Sequence, residues 1–179
     1  MNLDKTLINM TKGIQSNSLR SYGRVLAVRS NKAYITDGFK ALTWSPGPSI
    51  GDDRCINKDF EEVEVSYPNI EAALSPKGDL RAVMCNLKDL IQALKSIKAK
   101  NSMYLEISKD LKASICFDKE LPNSESFYFS IQNTIEYFKA IPKDCLELID
   151  VLISEDGEML VLQFYGGFTL TVVPMIGGQ

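Results

Sequence analysis

Two lysine-bearing segments carry the clearest chemistry in this sequence. Lys5, Asn9 and Lys12 stand four and three residues apart, and so do Lys88, Gln92 and Lys95. Sliding the first segment by 83 positions lays Lys5 on Lys88, Leu7 on Leu90, Ile8 on Ile91, Lys12 on Lys95 and Ile14 on Ile97. On a helix this spacing puts two ammonium groups and an amide on one face and the apolar residues on the other. Such a face suits a polyanion such as a phosphate backbone, and it equally suits a plain solvated surface. Other chemistry is poorly provided for. The chain has no histidine, which removes the commonest general base and metal ligand and every Ser-His or Cys-His pair. Cys55, Cys85, Cys116 and Cys145 form no CxxC pair and read as buried small hydrophobes rather than zinc or redox groups. The glycine pairs at 166–167 and 177–178 precede no helix and read as turn and tail, not phosphate loops. The acids Asp52-Asp53 and Glu155-Asp156 would be the ligands of a metal-dependent nuclease, but loop acids of this kind are ordinarily solvated. No catalytic residue, metal site or cofactor is expected.

Charge is unevenly spread. The net charge of −3 argues against indiscriminate nucleic-acid binding. Residues 1–44 hold seven Lys/Arg against two acids, and residues 81–100 hold five against one. Residues 45–80 hold three against eight, and residues 101–179 five against twelve. An acidic body with two basic segments can offer one basic face to phosphates while the rest repels them. The 179 residues, 45% hydrophobic and 24% charged, suffice for one domain or two small ones with a packed core. The first ten residues lack the apolar run of a signal peptide, and no stretch approaches a membrane span. A cytoplasmic protein away from membranes is expected.

The elements that must position these groups follow from periodicity. Leu3, Leu7, Met10 and Ile14 predict a helix over 3–15. Strands are predicted over 22–29 and 32–37 around a Ser30-Asn31 turn, then over 40–44 after a Thr-Asp-Gly turn. Residues 45–53 read as loop, and 60–66 as a strand with one wet face. The prolines and glycine of 67–79 mark a linker. Beyond it come a strand at 81–85, a helix over 87–99 capped by Asn86, and a hairpin of 103–108 with 111–117. A strand at 126–130 leads to a helix over 131–141 capped by Ser130, then a meander of 146–153, 158–165 and 168–175. Helix-then-strands order recurs along the chain, an internal structural repeat. The fold class is α+β, with repeats of one helix plus antiparallel strands.

Three stretches resemble the bacterial DNA sliding clamp, the beta subunit of DNA polymerase III. YITDGFKALTWSPGPS (34–49) is similar to that family's strand, Thr-Asp-Gly turn, basic residue and Pro-containing loop. YPNIEAALSP (67–76) resembles the linker joining its last two domains, and TLTVVPMI (169–176) its C-terminal strand. The resemblance spans nearly the whole chain. It implies a partial clamp-like domain over 1–66, a linker over 67–79 and a complete clamp-like domain over 80–179. The sequence departs from the pattern in three ways: no helix lies between the Thr-Asp-Gly strand and the linker, Phe39 replaces the usual histidine, and Val173 replaces a frequent methionine.

The resemblance also implies function. A clamp makes no bonds; it tethers DNA through lysines that contact phosphates without reading bases. The matching candidates are Lys5, Lys12, Lys88, Lys95, Lys98 and Lys100. Clamp partners, a DNA polymerase among them, insert a short apolar peptide beside the turn and the last strand. The matching positions are Thr36, Gly38, Phe39 and Lys40, with Thr171, Val173, Pro174 and Met175. The expectation is thus a processivity or tethering factor on double-stranded DNA. It would be a homo-oligomer, with about four chains closing a ring if each brings three half-domain units. The alternative is a clamp-fold adaptor, encoded by a phage or mobile element, that binds a protein partner without encircling DNA.

Overall fold

The computed structural model describes residues 3–96, 103–117, 126–130 and 134–173. In chain order the strands are β1 (Leu26–Arg29), β2 (Lys32–Thr36), β3 (Lys40–Trp44), β4 (Arg54–Ile56), β5 (Glu62–Val63), β6 (Leu80–Ala82), β7 (Met103–Ile107), β8 (Ala113–Phe117), β9 (Phe127–Ser130), β10 (Leu148–Ser154), β11 (Leu160–Phe164) and β12 (Phe168–Val172). The helices are α1 (Leu3–Met10), α2 (Ile70–Ala73), α3 (Leu87–Ser96) and α4 (Ile135–Ala140). Nine strands form one sheet in the order β5-β4-β1-β2-β3-β12-β11-β10-β6, and β8-β7-β9 form a second. Every pair among these strands is antiparallel, so the α+β reading holds.

Strands from early and late in the chain meet in the middle of the large sheet. β3 pairs β12 from Phe168↔Trp44 to Val172↔Lys40, so residues some 130 positions apart share one ladder. Alternation then sorts the side chains. One face carries Leu26, Val28, Ile35, Leu42, Trp44, Leu162, Phe168 and Leu170, all fully buried. Leu7 and Met10 of α1, Leu90 of α3, Tyr137 and Phe138 of α4, and Leu105 and Phe129 of the small sheet pack on it as one core. Trp44 stacks on Phe168 at 5.7 Å, and its indole N–H donates to the Gly166 carbonyl at 3.1 Å. α1 also touches α4 directly, through the Asn9 amide donating to the Ala140 carbonyl at 2.7 Å. The opposite face is polar toward its centre, with Tyr34, Thr36, Thr43, Thr169 and Thr171, and has a small cluster of Val25, Ala27 and Cys55 at one end.

Several boundaries differ from the sequence reading, each for a local reason. The predicted first strand begins late, because Ser21–Arg24 wind into a 3₁₀ turn closed by the Gly23 N–H on the Arg20 carbonyl. The predicted strand over 60–66 shrinks to Glu62–Val63. Asn57 Oδ1 accepts from the Asp59 and Glu61 N–H groups and Phe60 adopts φ 65°, so a turn consumes its start. β4 has no counterpart among the predicted elements. The segment 67–79, predicted as a linker, contains the single-turn α2, capped by Asn69 Oδ1 on the Ala72 N–H. Asn86 caps α3 as expected, accepting from the Lys88 and Asp89 N–H groups. α4 is described from Ile135; residues 131–133 lie outside the described residues, and Ser130 ends β9. Cys55, Cys116 and Cys145 are buried, while Cys85 is only half-buried, and none of the four is in a disulfide. No described helix is long and apolar enough to cross a membrane.

Candidate partner-peptide seat and lysine-bearing helices

The β2–β3 turn is a closed hydrogen-bond circuit. Thr36 Oγ1 donates to the Lys40 carbonyl at 2.7 Å and accepts from the Gly38 N–H at 3.0 Å. Asp37 Oδ1 accepts from the Phe39 and Lys40 N–H groups at 2.9 and 3.0 Å. Gly38 sits at φ 95°, where any side chain would be strained and would strike the Arg20 guanidinium. These bonds push Phe39 outward, and it is 66% exposed. Its expected neighbour arrives by the β3–β12 ladder: the Val173 N–H donates to the Phe39 carbonyl at 2.9 Å, and Val173 is 41% exposed. The segments 36–40 and 171–173 therefore lie side by side.

Two residues that the sequence reading does not single out join them. The Arg20 guanidinium stands 5.3 Å from the Phe39 ring centre and donates to the Tyr22 hydroxyl at 2.7 Å. Beyond Val173 a cavity of about 320 Å³ opens, with Ala73, Met159 and Ser154 on its wall and Asp156 and Glu158 at its rim. A second cavity of about 420 Å³ lies on the threonine face, between Thr43, Thr169 and Thr171 and the linker residues Leu74 and Pro76. The linker is strapped over this face. Glu71 accepts from the Lys32 ammonium and the Tyr34 hydroxyl, each at 2.9 Å, and these bonds hold its carboxyl below the usual carboxylate range. Burial, and then Glu71 itself, push the Tyr34 phenol above its ordinary value.

Lys40 departs from the expected pocket position. It shares its face of β3 with Leu42 and Trp44, so its side chain enters the helix side of the sheet and is 9% exposed. There its ammonium pairs with Asp37 Oδ2 and lies 5.5 Å from the Tyr137 ring. Pro174 and Met175 lie outside the described residues.

The lysine candidates are described in part. Lys5 and Lys12 are exposed on α1 and its 3₁₀ extension, and Lys88 is exposed on the first turn of α3. Lys12 donates to Asn9 Oδ1 at 2.6 Å. Asn9 thus serves the α1–α4 junction rather than an open amide stripe. Lys95 lies in the last turn of α3, and Lys98 and Lys100 lie outside the described residues. The loop acids have structural partners: Asp53 accepts from the Ser30 N–H, and Asp156 from Ser154 Oγ and the Glu158 N–H. Among the described residues no group of three or more His, Cys, Asp or Glu could hold a metal ion.

No protein-family model and no curated protein matches the sequence. Solved structures are similar in fold. The DNA polymerase III subunit beta from Pseudomonas aeruginosa superposes with a TM-score of 0.60 at 12% identity, covering 98% of this chain and 65% of that one. The beta subunit of Streptococcus pyogenes DNA polymerase gives 0.54 at 14% identity, covering 98% and 64%. A Helicobacter pylori beta clamp bound to a DNA ligase peptide gives 0.59 at 11% identity, covering 94% and 63%. The chain has the fold of bacterial sliding clamps and spans about 65% of their length.

Proposed function

We propose that this protein is a sliding-clamp-like tethering factor of the cytoplasm. It would hold double-stranded DNA without reading its sequence and recruit a polymerase or another partner through a short apolar peptide. The observation that carries this reading is the β3–β12 ladder. It brings Phe39 and Val173, both exposed, side by side, and Val173 also lines a cavity with Ala73, Ser75 and Lys77. The seat would use the main chain at Gly38, the side chains of Phe39, Val173 and Met159, and Arg20 beside Phe39. Lys40 would act from beneath. A leucine-sized anchor contributes roughly 1.5–3 kcal/mol on burial, so micromolar binding needs two or more. The DNA-facing groups would be Lys5, Lys12 and Lys88, with Lys95, Lys98 and Lys100 continuing the α3 segment.

The test is an NMR titration with acetylated pentapeptides containing leucine and phenylalanine. Shifts should concentrate at residues 36–40, 171–173 and 20–22, and Phe39→Ala with Val173→Lys should abolish them. Shifts confined to other residues would defeat the seat. A chain that binds these peptides but does not retain duplex DNA at low salt would be the adaptor of the alternative reading.

A further inference from the structure

Asp37 is placed to do two things at once. Its Oδ1 caps the turn by accepting from the Phe39 and Lys40 N–H groups. Its Oδ2 faces the other way, pairing with the Lys40 ammonium and accepting from the Gln15 amide at 3.5 Å. Both members of the ion pair are largely buried, at 9% and 13% exposure. A buried pair of this kind is a poor source of stability, because desolvation offsets much of the attraction. It does specify geometry, because neither charge can be left alone without cost. Here the geometry reaches two elements. Lys40 rests on the ring of Tyr137, a fully buried residue of α4. Burial and the nearby Asp37 carboxylate push the Tyr137 phenol above its ordinary value, so it stays neutral beneath the ammonium. On the other side, the turn that Asp37 caps carries Phe39, whose carbonyl receives the Val173 N–H.

We propose that Asp37 and Lys40 are positioning residues of the peptide seat: by pairing against Tyr137 they fix the direction in which Phe39 leaves the turn and so keep Phe39 and Val173 side by side. The inference rests on the seat proposed above and adds that α4, on the helix side of the sheet, sets its shape.

The experiment compares Asp37→Asn with the double variant Asp37→Asn/Lys40→Met. The readouts are amide hydrogen exchange and titration with the same leucine- and phenylalanine-containing pentapeptide. Asparagine keeps one acceptor but turns an NH₂ group toward the Lys40 ammonium and the Gln15 amide, so donor meets donor and the group must rotate off the turn. Exchange at the amides of Phe39, Lys40 and Val173 should quicken at least about tenfold in the single variant. Exchange within β10 and β11 should be unchanged, which shows that the fold persists. Peptide affinity should weaken by a similar factor, about tenfold. Replacing Lys40 by methionine keeps the stem on Tyr137 and removes the cation, so the double variant should return both readouts to within about threefold of the parent. Unchanged exchange at the three amides in Asp37→Asn, or no recovery in the double variant, overturns the positioning role. The exchange pattern alone decides it: a parent chain that ignores the peptide while showing that pattern removes the seat, not the positioning.

Discussion

Three phenols held within the fold set how single residues respond to pH. Tyr34, Tyr67 and Tyr137 are each pushed above the ordinary tyrosine value, with burial the largest cause in all three. A group whose folded-state value is raised adds stability that is complete below its unfolded value and is lost as pH rises through the folded one. The unfolded value is about 10, so the thermal midpoint should hold up to about pH 10 and decline above it. The single tryptophan provides the readout, because Trp44 is fully buried and its emission should shift red on unfolding. Tyr137→Phe should lessen the alkaline decline, since it removes one of the three phenols. A profile identical to the parent's would mean that Tyr137 does not titrate with unfolding. At the acid end, Glu71, Glu106, Asp110 and Asp156 are all held below the usual carboxylate range, chiefly by side-chain hydrogen bonds. Their contribution is present above about pH 4 and lost below it as they protonate.

Among the elements, the segment 67–79 and the β3–β12 seam both tie residues 3–66 to residues 80–173, and the seam carries more. From Glu71 to Leu80 the linker is mostly exposed, and it is tied down by exposed ion pairs such as Lys77 with Glu158 at 3.1 Å. Exposed pairs of this kind contribute little, because water and salt screen them. The seam by contrast lays Leu170 against Leu42 and Phe168 against Trp44, all fully buried. A protease site inserted between Ser75 and Lys77 should therefore yield two fragments that co-elute under native conditions and part only in denaturant. Fragments that separate in buffer would mean the linker, not the ladder, joins the parts. Leu170→Ala should cost roughly 2–5 kcal/mol and lower the denaturation midpoint accordingly. Much of this was legible in the sequence. The apolar period of 3–14 and 87–91 announced α1 and α3, and the Ser30-Asn31 and Thr-Asp-Gly turns fixed the β1–β2–β3 register. β4 was not legible, because three residues after a loop carry no period. The seat was half legible. Thr36, Gly38, Phe39, Lys40, Thr171 and Val173 came from motif resemblance, whereas Arg20 and Tyr22 come beside Phe39, and Ala73 and Met159 beside Val173, only because the folded sheet draws together segments far apart in the chain. Alternation along β3 already held the direction of Lys40, since it shares parity with Leu42 and Trp44.

For the whole molecule, electrostatics decides what kind of DNA binding is expected. The chain is acidic overall, at −3, so only a local basic face can attract phosphates. Lys5, Lys12 and Lys88 are exposed on α1, its 3₁₀ extension and α3, elements that pack on the face of the sheet opposite the threonines. Binding should be weak, indifferent to sequence and steeply salt-dependent. Changing these three lysines to alanine should weaken binding to every duplex alike and flatten the log–log salt slope by roughly 0.9 for each phosphate no longer neutralised. An unchanged slope would assign them to ordinary surface charge. Size bears on the same question. Among the described residues β5 and β6 end the nine-stranded sheet, β5 with only two residues and β6 exposed along its length. Such edges present unpaired N–H and C=O groups that a second copy can satisfy. If the clamp resemblance extends to assembly, with three half-domain units per chain and about a dozen per ring, self-association toward about four chains is expected. Light scattering with and without duplex DNA tests both at once. A mass near four chains that persists on adding DNA, with retention on a circular but not a linear duplex, would mark encirclement. A monomer at high concentration that still binds the apolar peptides would reject the ring and leave the adaptor.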